Sequence, residues 1–480
     1  MPSARICSER FPQKLRRGIA SFGIPLYVTL WISGCVSVPI ERTPEVLPSA
    51  ENHVQIGGPR GPLSPRQTAA ILARLTKEAP DSDALAKHLA IEQAVEGGTL
   101  YAGNKARVLR DGADTFPAMF AAMHAARQTL FLEYYIFEDI ESGGEHLTDV
   151  LLARRAAGVK VAVLYDSVGS SATPSAVFDR LRAGGVTLLA FNPINPLTSR
   201  GHWSLNDRDH RKLLVADHSV AIIGGINMSA DYESAPIRGS GSPPTNNGEK
   251  KPDWRDTDLN ISGPAVIRFS QLFVDHWREQ GGPELGETDV ALSPPTDGDD
   301  VIRVLGSEPG ELAPRYYATL LSAMRIAEQR LWITAAYFVP THQEKSAITK
   351  AARRGVDVQL LVPSQSDSNA ALAVQRSTYS DLLEAGVKIY EREGVILHTK
   401  SVVIDGVWAI IGSSNFDHRS VLFNDELDAV VLGSNVSGDL ERYFVADVAD
   451  ARRIELKQWR KRPFCERLRE AFWRLTTTLL

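Results

Sequence analysis

Two stretches of this chain carry the same three polar residue types at the same spacing. His210, Lys212 and Asp217 form one H-x-K-x4-D pattern, and His398, Lys400 and Asp405 form the other. Each is followed at the same distance by a small-residue turn ending in Asn, Gly224-Gly225-Ile226-Asn227 and Gly412-Ser413-Ser414-Asn415. Within a β-branched strand run, residues two apart point to one face, so each copy sets an imidazole beside a fixed cation. Brought together, the copies supply two histidines and two lysines, with Asn227, Asn415 and Ser413 as neutral support. Such a set suits a tetrahedral phosphodiester. One histidine attacks phosphorus in line and forms a covalent phosphohistidine, while the other protonates the leaving oxygen and then deprotonates the acceptor. The lysines stabilise the developing charge, the largest single contribution, and the chemistry calls for no metal or cofactor.

One copy alone is a weak signal, since a surface His and Lys around a strand give the same pattern. Two copies at equivalent points of a duplicated fold are a strong one. Each imidazole also needs an acceptor on its far nitrogen. The first half offers Asp256, in Asp253-Trp254-Arg255-Asp256-Thr257, and the second offers Glu426, in Asn424-Asp425-Glu426-Leu427. Asp217 and Asp405 are counted with the catalytic motif, but they end their strands, where a turn or an inter-half salt bridge is the simpler role. His202, His218, His342 and His418 lie near motif or strand ends and read as structural or rim residues. Glu133 and Tyr134 are candidates for lining the cleft, with packing as the simpler reading.

The elements that must position these residues also come twice. From Tyr101 strands and helices alternate: strand 106–109, helix 115–127, strand 129–137, helix 145–157, strand 159–165, helix 175–183 and strand 186–191. This is the rhythm of a sheet covered by helices. The order returns after residue 300. The run Ala122 to Gln128 matches Ala323 to Gln329, an offset of 323 − 122 = 201. The two histidines are 398 − 210 = 188 apart, because the first half carries extra residues, Asn192 to Asp209, before its motif. A repeat of that length is a duplicated domain rather than a solenoid unit. The expected fold is α/β, with two similar halves, each a helix-flanked mixed β-sheet, packed with pseudo-two-fold symmetry around one active-site cleft. The halves span residues 100–280 and 301–450, joined by a linker at 281–300. Helices at 64–99, opened by Ser64-Pro65 and stopped at Gly97-Gly98, are expected to pack on the first half. Ser234 to Pro252, rich in Gly, Pro and Asn, reads as a loop and a candidate lid.

Composition bounds the function. An apolar fraction of 43% and a charged fraction of 23% are those of a globular protein, and a net charge of −5 argues against a general nucleic-acid binder. Two of the three cysteines, Cys7 and Cys35, lie near the N-terminus, so the body has neither a disulfide framework nor a thiolate metal site. Lys14, Arg16 and Arg17 precede an apolar run, Ile19 to Ile32, and then Ser33-Gly34-Cys35, a signal-peptide pattern. The run Ile32 to Cys35 is similar to a bacterial lipobox, which makes Cys35 a lipidation site within a leader of residues 1–35. Residues 36–63, rich in Pro and Gly, read as a flexible tether. Residues 451–480 form a basic tail in which Phe464, Leu468, Phe472 and Leu475 fall on one helical face, the form of a membrane-surface anchor or of a terminal helix docked on the protein with a solvated basic face. Both ends thus place the chain at a membrane surface, exported from the cytoplasm.

The paired H-x-K-x4-D-x6-G-[GS]-x-N motif, at His210 to Asn227 and His398 to Asn415, resembles that of the phospholipase D superfamily. Within it the chain is similar to bacterial cardiolipin synthases, through Leu132-Glu133-Tyr134-Tyr135-Ile136-Phe137, Asn206-Asp207-Arg208-Asp209-His210-Arg211-Lys212, Trp254-Arg255-Asp256 and Phe416-Asp417-His418-Arg419-Ser420. The resemblance implies phosphatidyl transfer, with phosphatidylglycerol as donor and a second phospholipid or an alcohol as acceptor. It also implies His210 as nucleophile and His398 as acid/base. Many cardiolipin synthases carry two N-terminal transmembrane helices, and here a lipobox-like leader stands instead. Hydrolysis to phosphatidic acid, with water as acceptor, is the alternative; a nuclease of the same superfamily is a weaker one.

Overall fold

Seven strands of the first half form one mixed sheet: β1 (Leu100–Arg110), β2 (Thr129–Tyr134), β3 (Lys160–Asp166), β4 (Thr187–Phe191), β5 (Lys212–Ala216), β6 (Val220–Gly224) and β7 (Thr257–Ser262). Their spatial order is β4-β3-β2-β5-β6-β7-β1, parallel from β4 to β2 and antiparallel thereafter. The second half repeats this with β8 (Asp300–Ser307), β9 (Arg330–Thr334), β10 (Asp357–Pro363), β11 (Lys388–Arg392), β12 (Ser401–Ile404), β13 (Trp408–Gly412) and β14 (Asn424–Leu432). Their order is β11-β10-β9-β12-β13-β14-β8, with the same parallel and antiparallel sense throughout. In this computed structural model the described residues are 56–473, apart from 60, 80–81, 95–98, 201–202, 205, 234–252, 286–297 and 312–313. The leader with Cys35, the tether up to residue 55, the candidate lid, His202, most of the 281–300 linker and Leu475 lie outside them.

The parallel strands need crossovers, and helices supply them. Leu147–Ala156 and Ser175–Ala183 serve the first half, His342–Arg353 and Asn369–Ala385 the second. The third of these opens on a capping box, in which Thr341 accepts from the Glu344 amide and Glu344 accepts from the Thr341 amide. All six residues of β2 and all nine of β14 are buried, as expected of strands covered on both faces. The halves are not separable bodies. Strands β1 and β8 pair antiparallel, with Ile302 opposite Tyr101. One apolar cluster joins Leu213, Ile223, Phe269 and Phe273 of the first half to Ile302, Ile411, Leu427 and Ala429 of the second.

Four expectations change. The strand at 106–109 is in fact eleven residues long, because β1 reaches both β7 and β8. The strand expected to run to Phe137 stops at Tyr134, and the backbone then leaves the sheet, Phe137 bridging to Met228. The helices Pro65–Glu78 and Ser82–Ala94 pack on the second half, not the first. The Glu92 carboxylate is fully buried and needs a cation, which Arg303 on β8 supplies at 2.9 Å, with the Trp408 indole donating at 2.8 Å. Finally, the end of the expected tether is built into the sheet: Ile56 is buried and pairs in parallel with Leu100.

Candidate active site

Two short parallel pairings tie the halves together at the motifs. Arg208–Asp209 pairs with Asn424–Asp425, and the next amide, that of His210, donates to the Asp425 carbonyl at 3.0 Å. Asp253–Arg255 pairs with Val395–Leu397, and the His398 amide donates to the Arg255 carbonyl at 2.7 Å. The register then decides the partners. Following Asp209 opposite Asp425, His210 meets Glu426; following Leu397 opposite Arg255, His398 meets Asp256. Nδ1 of His210 lies 3.0 and 3.1 Å from the two Glu426 oxygens. Nδ1 of His398 lies 2.7 Å from Asp256 Oδ2. Each carboxylate therefore serves the histidine of the other half.

The turns behind the carboxylates are built to admit them. A Cβ on Gly225 would sit 2.2 Å from Asp256 Oδ1, so glycine leaves that carboxylate its room. The equivalent Ser413 instead donates to Glu426 Oε2 at 2.5 Å. Two residues further on, Asp258 accepts from the Ile226 amide at 3.1 Å, and Asp428 accepts from the Ser414 hydroxyl at 2.5 Å. These two aspartates were missed in the sequence, where their only signal is recurrence two places after Asp256 and Glu426. Burial pushes the Asp428 carboxyl up to about 8, so it is held mostly neutral at pH 7.

Each motif lysine folds back on its own histidine. Lys212 Nζ donates to the His210 carbonyl at 2.6 Å, and Lys400 Nζ lies 2.8 Å from His398 Nδ1 and 3.1 Å from Nε2. Burial lowers the Lys212 ammonium to about 7 and lowers Lys400 as well. Both histidines are pushed down, first by burial and then, for His398, by the two lysines. Burial raises Asp256 to about 6. Glu426 is also buried, but His210, Lys212 and Ser413 outweigh that and hold it below the usual carboxylate range. An arriving phosphodiester anion would restore the positive charge that burial now suppresses.

Asn227 is engaged rather than free: its side-chain oxygen accepts from the Ile136 amide at 3.2 Å, and its amide donates to the Tyr232 hydroxyl at 3.2 Å. Tyr232, another residue not singled out in the sequence, lies 3.2 Å from His398 Nδ1. Asn415 lines the cleft, a cavity of about 390 Å³ whose walls also include His210, Tyr135, Tyr337, Arg208 and Arg419. His398 lies beside it, its ring 5.9 Å from that of Tyr337. Asp217 and Asp405 do not join this group. Asp217 accepts from the amides of Arg127, Gln128 and Thr129 at 2.7–2.9 Å, and Asp405 accepts likewise from Glu328, Gln329 and Arg330 at 2.7–3.3 Å. They close turns at the far ends of β5 and β12, which is the simpler role of the two expected. His218 is buried, packed edge-on to Phe131, while His342 and His418 each begin a helix. Glu133 and Tyr134 are fully buried and do not line the cleft; Tyr134 packs in the core, while the Glu133 carboxylate is ion-paired.

Glu133, Asp209 and His276 bring ligand atoms within 4.8 Å of one another beneath His210. Positive charge is already supplied there. Arg211 lies 3.5 Å from Glu133, and His276, 2.7 Å from Glu133, is raised to about 9 by Asp425 and Glu133 against the opposing effect of burial. The residues present fit a buried ion network beneath the motif.

The chain is also similar to proteins of known family. The family described as "Cardiolipin synthase, PLD-like domain" matches residues 320–448. A cardiolipin synthase of Geobacillus kaustophilus is 36% identical over 383 residues, covering 78% of this chain and 72% of that protein. The chain belongs to the bacterial cardiolipin synthase family of phospholipase D-like enzymes. Cardiolipin synthase A of Pseudomonas syringae is 35% identical over 74% of this chain and 71% of its own length. The crystal structure of a Haemophilus influenzae phosphatidylserine synthase superposes with a TM-score of 0.60 at 13% identity, covering 81% of this chain and 99% of that one, so the fold is shared. No helix among the described residues of this cardiolipin synthase relative is long and apolar enough to cross a membrane.

Proposed function

We propose that the chain is a phosphatidyltransferase that moves a phosphatidyl group from phosphatidylglycerol to a second phospholipid or alcohol. The observation that carries this is the crossed pair of carboxylate-held imidazoles, each with its own lysine, at one cleft. With Nδ1 bound to Glu426, His210 turns Nε2 toward phosphorus and forms the P–N bond as the P–O bond to the leaving glycerol breaks. His398 gives its proton to that oxygen, then takes one from the acceptor hydroxyl, which attacks phosphorus and frees His210. Lys212 and Lys400, recharged by the bound anion, stabilise the equatorial oxygens, and Asn415 adds a neutral donor. Asp256 and Glu426 hold the two rings, while Asp217 and Asp405 hold the strands beneath them. Lipidation at Cys35 and a periplasm-facing membrane location complete the reading.

The test is lipid analysis of a bacterial host lacking its own cardiolipin synthases and expressing this chain. A diphosphatidyl lipid should appear, and His210→Ala or His398→Ala should lower it about 10³-fold or more. Phosphatidic acid as the sole product would replace transfer with hydrolysis.

A further inference from the structure

Large apolar side chains stand exposed beside both walls of the cleft. On the second-half wall, Tyr337, Val339 and Ala371 pack with Trp473, the last residue of helix Phe464–Trp473. That helix packs along Asn369–Ala385, with Glu470 only 5% exposed and paired to Arg462 at 2.8 Å. Glu470 and Trp473 thus face the protein. Phe464, Leu468 and Phe472 recur every four residues and occupy the opposite face, 75, 60 and 61% exposed. On the first-half wall, the cleft residue Val168 is 43% exposed. Its neighbour Ser167 hydrogen-bonds the Asn192 carbonyl and so ties in the inserted segment bearing Ile194 and Leu197, 71 and 91% exposed.

Runs of large apolar side chains in water mark an interaction surface, and the charge around this one says what it meets. Of the eight Lys and Arg between Arg452 and Trp473, Arg452, Arg453, Arg460 and Arg462 pair with Glu391, Glu455, Glu384 and Glu470, so the cations that edge the stripe are those on its own helix. Arg467 and Arg469 flank the apolar stripe on its two sides. An apolar stripe edged by cations complements an anionic lipid surface.

We propose that these two patches seat the cleft mouth on an anionic phospholipid bilayer, with Phe464, Leu468 and Phe472 below the head groups and Arg467 and Arg469 among the phosphates. This rests on the reading of the substrate as a phospholipid and adds how that lipid reaches the site. The full chain is used for the test, so that whatever residues 1–55 contribute is common to every variant. Leu468→Ser/Phe472→Ser and Ile194→Ser/Leu197→Ser are assayed on phosphatidylglycerol vesicles and on monomeric short-chain phosphatidylglycerol. Each pair should lower kcat/KM on vesicles about tenfold or more while leaving the short-chain rate unchanged. Equal rates in variant and wild type on vesicles, or an equal loss on both substrates, would overturn the proposal. So would a concentration-dependent dimer that the same substitutions dissolve. If the wild type turns over neither lipid, the transferase reading fails, and docking is judged by a polarity-sensitive fluorophore on Leu468→Cys. Its emission, compared with the wild type labelled at its native cysteines, should shift to the blue on phosphatidylglycerol vesicles, and no shift would sink the docking.

Discussion

At the scale of single residues, the two imidazoles are alike in type and unlike in environment. Glu426 is held ionised by His210, Lys212 and Ser413, whereas burial pushes Asp256 up to about 6. Asp256 is therefore the first of the two to lose its charge on acidification. An ionised Asp256 is needed to orient His398, so kcat/KM should fall as pH drops through about 6. Asp256→Asn should flatten that limb and lower the plateau by about 10² or more, as when the carboxylate that sets a catalytic tautomer is removed. Rate profiles between pH 5 and 8 on phosphatidylglycerol check both statements. A steep acid limb surviving in the Asn variant would assign it to another group.

At the scale of elements, the turn that ends each motif strand and the turn that follows the adjoining strand do separate work. Gly225→Ala would set a Cβ 2.2 Å from Asp256 Oδ1 and displace that carboxylate from His398. Activity should drop about tenfold or more while the unfolding midpoint moves little, measured by turnover and thermal melts in parallel. Asp405→Ala should do the reverse. It strips three backbone amides of their acceptor in a site where the side chain is fully buried. The expected cost is about 2–4 kcal/mol of stability, read by urea denaturation, with kcat of the folded fraction nearly unchanged. A kcat collapse at unchanged stability would return Asp405 to the chemistry.

At the scale of the molecule, neither half is complete. Leu213, Ile223, Phe269 and Phe273 bury themselves against the second half, and β1 serves both sheets. Residues 56–285 expressed alone should lack a cooperative urea transition followed by circular dichroism, and a sharp transition would contradict the shared core. The crossed carboxylates give the same answer chemically, because each half holds the histidine whose partner lies in the other.

The motif pair, the duplication, the strand and helix rhythm and the identities of Asp256 and Glu426 were legible in the chain, because they depend on residue type and on local period. The turn role of Asp217 and Asp405 was legible too, from their place at strand ends. The crossing of His210 to Glu426 and His398 to Asp256 was not, since it comes from the register of two short parallel pairings between segments over 140 residues apart. Nor was the placement of the helices at 65–94 on the second half, where a buried Glu92 finds Arg303 only after both have folded. Tyr232, Asp258 and Asp428 are ordinary in the sequence, and become parts of the site through what surrounds them. Local pattern selects strands, turns and reactive groups; which group meets which is settled by long-range register and by the need of each buried charge for a partner.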